Sequence, residues 1–287
     1  MTITIFRDKD CKGPSQVVSG NIRDLRDMPA DKPGSIRMTD VRDAILLFKN
    51  DEWHGGALYL NGAQTVGDLG SAQDGGRFGF GNCVRSVRVT PFKLRLNVTL
   101  VTSDGKLPGL WPNETWSDAA LTDIVTRVNN YLLAQNALLA LEIARTTCRE
   151  DPKQYELAGL EGWSFPGAWK NPNEVDLIVV NRFGKDGKPG RATSPCFGET
   201  IVIAPRADFG DDSVVLTNED LARTLMHELG HYLGLGHGTA DKTEGNIMFK
   251  SHDLGTVLTS LSLWKDQVRE MQDRLANHLS RKGDRIE

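Results

Sequence analysis

Apolar and polar residues alternate through the first ninety positions, and longer periods take over afterwards. Ile3-Thr4-Ile5-Phe6, Ala57-Leu58-Tyr59-Leu60 and Val84-Arg85-Ser86-Val87-Arg88-Val89 predict half-buried strands separated by glycine-rich turns. Leu94-Arg95-Leu96-Asn97-Val98-Thr99-Leu100-Val101 continues that alternation. The period then changes, because Leu121, Ile124, Val125, Val128 and Leu132 recur at helical spacing behind Ser117, a residue suited to an N-cap. Further strands are predicted at Leu138 to Ala144, Val175 to Val180 and Thr200 to Ala204, the second being a continuous apolar run of the kind buried on both faces. Thr217-Asn218-Glu219-Asp220 has the form of a capping box and predicts a helix whose apolar face runs to Met226. A last helix is predicted from Ser260 or Ser262, with Trp264, Val268, Met271, Leu275 and Leu279 on one face, ahead of a polar tail from Ser280 to Glu287.

Within the first part there is an internal repeat. Phe6-Arg7-Asp8-Lys9-Asp10-Cys11-Lys12-Gly13 recurs about forty residues later as Phe48-Lys49-Asn50-Asp51-Glu52-Trp53-His54-Gly55, an aromatic, an apolar residue and a glycine at the same spacing. Each copy leads to a matching pair, Ser35-Ile36-Arg37 and Ser86-Val87-Arg88. Two four-stranded antiparallel units forming a sandwich are the expectation for residues 1–90, and a domain of mixed strands and helices for residues 91–287.

Composition narrows the function classes. At 39% hydrophobic and 25% charged over 287 residues the chain has the make-up of a soluble globular protein, and no apolar run approaches the ~18 residues that would span a membrane. A formal net charge of −4, with Lys and Arg scattered singly, gives no basic footprint for nucleic acid. The start of the chain has neither a basic leader nor an apolar h-region. Export by a route without a signal peptide, or retention inside the cell, is the expectation. The 4 cysteines, Cys11, Cys83, Cys148 and Cys196, form no CxxC pair. Cys148 and Cys196 could pair outside a cell, or all could be plain thiols.

The chemistry concentrates in His227-Glu228-Leu229-Gly230-His231-Tyr232-Leu233-Gly234-Leu235-Gly236-His237, which uses three of the 6 histidines. Imidazoles at i and i+4 share a helical face, so His227 and His231 can grip one metal ion. Gly234 can take the left-handed conformation that ends the helix and returns His237 to the same ion. Three neutral imidazoles leave a tetrahedral zinc with an open position, as in catalytic rather than structural sites. Glu228 is placed to act on water bound there.

This HExxHxxGxxH run resembles the motif of the metzincin clan of zinc metalloendopeptidases, and Asn246-Ile247-Met248-Phe249 is similar to the methionine turn that lies under the zinc in that clan. The resemblance implies one catalytic zinc on His227, His231 and His237, Glu228 as general base, Met248 in the turn, and protein or peptide substrates. It also implies that the strand before the zinc helix, here Gly198 with Thr200, Ile201, Val202 and Ile203, pairs with extended substrate backbone. Lys250 stands where some branches have a tyrosine, which sets the chain apart from astacin-like and serralysin-like branches, and Gly238 after the third histidine does not match the marker of the better-known ones; the motif with its preceding strand resembles pappalysin-like or other minor bacterial metzincins. No propeptide cysteine-switch motif is present, and Cys11 or Cys196 would be the thiol for such a role.

The paired aromatic, glycine and serine of residues 1–90 resemble the βγ-crystallin domain, a double Greek key. Some members of that family bind calcium through [N/D][N/D]xx[S/T]S loops. The corresponding windows, Ala30-Asp31-Lys32-Pro33-Gly34-Ser35 and Gly81-Asn82-Cys83-Val84-Arg85-Ser86, each keep one of the two leading positions and lack the hydroxyl before the final serine, and these departures argue against calcium there. Such a domain would target or stabilise the enzyme, or inhibit it through intramolecular contact with the protease cleft. From a different class comes the alternative of a catalytically silent zinc-binding interaction protein that uses the crystallin-like part as its binding module.

Overall fold

The structure is a computed structural model and describes residues 2–53, 57–72, 79–80, 83–102, 118–150, 156–157, 174–180, 182–183, 200–209, 212–237, 245–249 and 255–281. Two compact units emerge, and neither is contiguous: the first is Met1–Phe92 with Leu132–Ala140 and Lys265–Glu287, the second Lys93–Tyr131 with Leu141–Trp264. The sequence-based division at 90/91, by contrast, assigns each domain one unbroken stretch.

The first unit contains strands β1 (Ile3–Phe6), β2 (Ser15–Val18), β3 (Ser35–Met38), β4 (Ala44–Phe48), β5 (Ala57–Asn61), β6 (Gln64–Val66) and β7 (Ser86–Arg88). They form a sheet in the order β2-β1-β3-β6 and a second in the order β5-β4-β7, and the pairs along both are antiparallel. β6 comes from the second half of the repeat yet completes the first sheet. Conversely Ile22, from the first half, bridges to Val87 at the free edge of β7. Each half therefore lends its third strand to the other's sheet, which is a double Greek key. The expectation of two four-stranded units needs one correction: among the described residues the second sheet has three strands plus that single bridge, because the segment at Ile22 meets its neighbour at one residue only.

Both copies of the repeat fold alike. Asp10 and Cys11 have φ of 57°, and Glu52 and Trp53 have φ of 50° and 62°, so each hairpin folds back through two left-handed residues. The fold-back is fastened by the buried serine of that copy. Ser35 Oγ donates to Asp8 O (2.5 Å) and accepts from Cys11 N–H (2.9 Å), while Ser86 Oγ donates to Asn50 O (2.6 Å) and accepts from Trp53 N–H (3.0 Å). Ile3, Ile5, Ile36, Ile45, Leu47, Leu58 and Val87 meet between the sheets. Leu46 and Phe48 point the other way by strand alternation and are equally buried, so β4 is covered on both faces.

The outer cover is provided by later parts of the chain. α1 (Asp118–Ala134) ends in a turn at Asn136 that belongs to this unit, where the Tyr59 hydroxyl donates to Asn136 O and Asn136 Nδ2 donates to Val41 O (3.0 Å). Of the elements that follow α1, the last, Lys265–Arg281, packs against β5 with Val268, Met271 and Leu275 buried. Trp264 precedes this helix and is exposed, which corrects its predicted place on the buried face. The helix starts after Trp264, beyond the bridge that pairs Ser262 with Asn246.

In the second unit, β8 (Phe92–Thr102), β9 (Leu139–Glu150), β11 (Glu174–Val179) and β13 (Thr200–Ile203) form a sheet in the order β13-β11-β8-β9, with β11 parallel to both β8 and β13. Along β8 the even-numbered residues Leu94, Leu96, Val98 and Leu100 are buried, as the alternation predicts. Short strands β10 (Glu156–Leu157), β12 (Arg182–Phe183), β14 (Arg206–Phe209) and β15 (Asp212–Val215) form a further sheet. Then comes α2 (Asn218–Tyr232), packed on β13, and the terminal Lys265–Arg281 helix is α3. A mixed α/β unit thus follows the Greek keys. Cys11, Cys83 and Cys148 are free thiols; Cys196 lies outside the described residues, as do Ser117, Gly198, Gly238 and Lys250.

Candidate metal centre

The helix that carries the histidines is fixed at both ends by its own sequence. At the start, Thr217 Oγ1 accepts from Asp220 N–H (3.2 Å) and the Asp220 carboxylate accepts from Thr217 N–H (3.2 Å), the reciprocal capping box expected there. At the finish, Gly234 has φ of 89°, its N–H donates to His231 O (2.9 Å), and Leu235 N–H donates to Gly230 O (2.9 Å). Those two bonds about a left-handed residue make a Schellman turn, which redirects the chain after one residue. Leu233 and Leu235 are buried in that turn, and His237 comes back over the helix end.

As a result the three imidazoles converge. Their Nε2 atoms lie 3.1 Å (His227 and His231), 3.1 Å (His231 and His237) and 3.2 Å (His227 and His237) apart. Three such contacts cannot all be hydrogen bonds, because a ring nitrogen that carries a proton has no lone pair left to accept with. The tautomers exclude them further. His227 Nδ1 lies 2.7 Å from Ile247 O and His231 Nδ1 lies 2.8 Å from Leu235 O. A carbonyl only accepts, so in both neutral rings Nδ1 holds the proton and Nε2 presents a bare lone pair inward. A tetrahedral zinc with Zn–N of about 2.0–2.1 Å separates its nitrogens by about 3.3–3.4 Å, close to the spacing found here. The donor set therefore fits a zinc ion, and it is the one group of three metal-capable side chains among the described residues. Burial, the largest influence, holds the His231 imidazole below its usual pKa, outweighing the Leu235 carbonyl, and so favours the neutral ligand form.

Glu228, next to the first imidazole, is 4% exposed. A carboxylate beside the first ligand is placed to exchange a proton with water at the metal. Met248 is fully buried and lies against Gly230, where an added Cβ would strike the methionine sulfur and come within 3.2 Å of its methyl carbon. The turn holding Met248 is built by Asn246, whose Oδ1 accepts from Met248 N–H (2.8 Å) and whose carbonyl accepts from Phe249 N–H (3.0 Å). Ile247 then turns its carbonyl to His227.

Of the residues expected to pair with substrate, Thr200 to Ile203 form β13, and Gly198 lies outside the described residues. Ile201, Val202 and Ile203 lie on β13, at most 1% exposed, and Thr200 is half-buried. Among the described residues β13 is an edge strand of its sheet, and α2 packs on it although the hairpin β14–β15 intervenes in sequence. Four contributions escaped the sequence: the Ile247 and Leu235 carbonyls, the Asn246 side chain and the missing side chain at Gly230. Only Gly230 left a signal, since a glycine inside a helix costs about 1 kcal/mol and implies a close approach.

No protein-family model matches the chain, and no curated protein matches it either. Among solved structures it is similar to a beta gamma crystallin from Ciona intestinalis, with 19% identity over 31% of this chain and 100% of that one at a TM-score of 0.27. It is likewise similar to the N-terminal domain of protein S, with 20% identity over 31% of this chain and 93% of that one at a TM-score of 0.25. A third is spherulin 3a from Physarum polycephalum, with 20% identity over 30% of this chain and 80% of that one at a TM-score of 0.25. By its own strand order and exchanged third strands, the N-terminal part is a βγ-crystallin-like Greek-key domain.

Proposed function

We propose that the chain is a zinc-dependent metalloendopeptidase of the metzincin type, hydrolysing peptide bonds in protein substrates. The observation that carries this is the triangle of Nε2 lone pairs at 3.1–3.2 Å, set by two Nδ1–H···O=C bonds and adjoining a buried glutamate. A zinc ion held by His227, His231 and His237 would supply a Lewis acid and a bound water of near-neutral pKa. Glu228 takes the proton of the attacking water on its carboxylate and delivers it to the departing amine. His231 and His227 stay in the liganding tautomer because their Nδ1 protons are committed to carbonyls. Met248 keeps the floor of the site apolar and Gly230 lets it approach. On this proposal the free edge of β13 is where extended substrate backbone pairs, with Thr200 to Ile203 supplying main-chain groups.

The test uses an unstructured protein as substrate and counts newly formed N-termini. Zinc-loaded wild type generates them, while Glu228→Ala binds zinc equally and loses activity by about 10²–10⁴-fold. A wild type that binds zinc and releases no new termini favours the silent interaction protein instead.

A further inference from the structure

The carbonyl that orients His227 sits on the segment Gly245 to Ser262, and that segment is tied down at two places. Near its ends, Ile247 N–H donates to Ser262 O (3.0 Å) and Ser262 N–H donates to Gly245 O (2.9 Å). On its return leg, Gly255 N–H donates to Asp220 Oδ1 (2.9 Å), Leu258 N–H donates to Glu219 Oε1 (2.6 Å), and Arg223 Nη1 donates to Thr256 O (3.0 Å). All three anchors stand on the first turns of α2, the helix whose later turns carry His227 and His231.

The anchor is buried. Arg223 and Asp220 pair at 3.2 Å with side chains 8% and 5% exposed, unlike a surface ion pair that water screens. The Asp220 carboxylate also accepts from the Thr217 hydroxyl (2.7 Å) and Thr217 N–H, so its oxygens are committed to the helix start and the return leg together. Glu219 is shared in the same way, one oxygen on Leu258 N–H and the other with Arg127 Nη1 (2.5 Å). One helix thus fixes the imidazole at one end and, at the other, the loop whose carbonyl must meet it.

We infer that Glu219, Asp220 and Arg223 are positioning residues for the metal centre, acting through the 255–258 leg to keep the Ile247 carbonyl against His227 Nδ1. This rests on the proposal that the imidazoles hold a metal. Groups that orient a metal's ligands typically contribute about 10–100-fold in metal affinity.

The experiment measures zinc affinity of the full chain by competition with a chromophoric chelator, and the visible spectrum of the cobalt-substituted protein. Glu219→Ala removes the Leu258 tether and Asp220→Ala removes the Gly255 tether. Their controls are Arg127→Met, which breaks the Glu219 ion pair and spares the tether, and Thr217→Ala, which weakens the cap and spares Gly255. Both tether variants are expected to bind zinc at least about 10-fold more weakly, with shifted cobalt bands, while the controls stay within about twofold of wild type. Tether variants that match their controls in affinity and spectrum overturn the inference. Should Asp220→Ala not fold, the Glu219→Ala and Arg127→Met pair decides alone. A wild type whose zinc affinity equals that of His227→Ala overturns the metal proposal itself, and the inference with it; that outcome is distinct from equal variants on a zinc-binding wild type.

Discussion

Gly230 and Met248 show how much of the centre depends on single atoms. A methyl group at position 230 would enter the space of the Met248 sulfur, on the helix turn between the two ligands His227 and His231. Gly230→Ala is therefore expected to destabilise the fold by about 1–3 kcal/mol through overpacking, although alanine is the better helix former. Thermal melting checks this, and the double variant Gly230→Ala/Met248→Ala should recover part of the loss. Three independent changes probe the ligands themselves. Replacing any one of His227, His231 or His237 by alanine removes a ligand outright and should weaken zinc binding by more than the about 10–100-fold expected for losing an orienting group. The ligands were legible in the sequence because HExxHxxGxxH is local: helix period and one glycine bring all three together. The carbonyls of Ile247 and Leu235 were not, since every residue has a carbonyl and only its direction matters.

Among the elements, α2 and the two Greek-key hairpins follow most directly from their residues. The Asp220 carboxyl that starts α2 would be raised by burial, but Thr217, Gly255 N–H and Arg223 overrule this and hold it below its usual value of 3.8. A depressed carboxyl contributes stability that is present above its unfolded-state pKa and lost as pH falls through the folded-state one. The deficit of Asp220→Asn against wild type should hence be constant above about pH 5 and shrink towards about pH 3, as read from denaturation curves across that range. In the hairpins, Ser35→Ala and Ser86→Ala each remove a buried hydroxyl that serves one N–H and one carbonyl, and each should cost about 1–3 kcal/mol. Near-equal losses are expected, given the matching bonds of the two copies. Strands with clean alternation were legible: β1, β5 and β8 appear where Ile3, Ala57 and Leu94 predict. Ala44–Phe48 carries no such signal, because a strand buried on both faces has no alternation to betray it. The β14–β15 hairpin was hidden for a different reason. Arg206, Asp208, Asp212 and Ser213 give it a polar composition that reads as loop.

At the scale of the whole molecule, contiguity in sequence is not contiguity in packing. The Greek keys are completed by Leu132–Ala140 and by α3, so Tyr59, bonded to Asn136, and β5, packed against α3, are covered by residues far along the chain. Such partners are invisible to a pattern read in windows. Met271, fully buried on α3, gives the check: Met271→Ala should destabilise the first unit by about 2–5 kcal/mol, visible as earlier loss of amide protection in β4 and β5. The same packing implies that residues 1–92 in isolation expose apolar surface and bind a hydrophobic dye more strongly than the full chain does. The central claim concerns the second unit and its water chemistry. Digestion of an unstructured protein in heavy-oxygen water by the zinc-loaded full chain tests it most directly. The account predicts heavy oxygen in the new C-terminal carboxylates from wild type and none from zinc-loaded Glu228→Ala; equal labelling by the two, or no cleavage by a zinc-bound wild type, would contradict it.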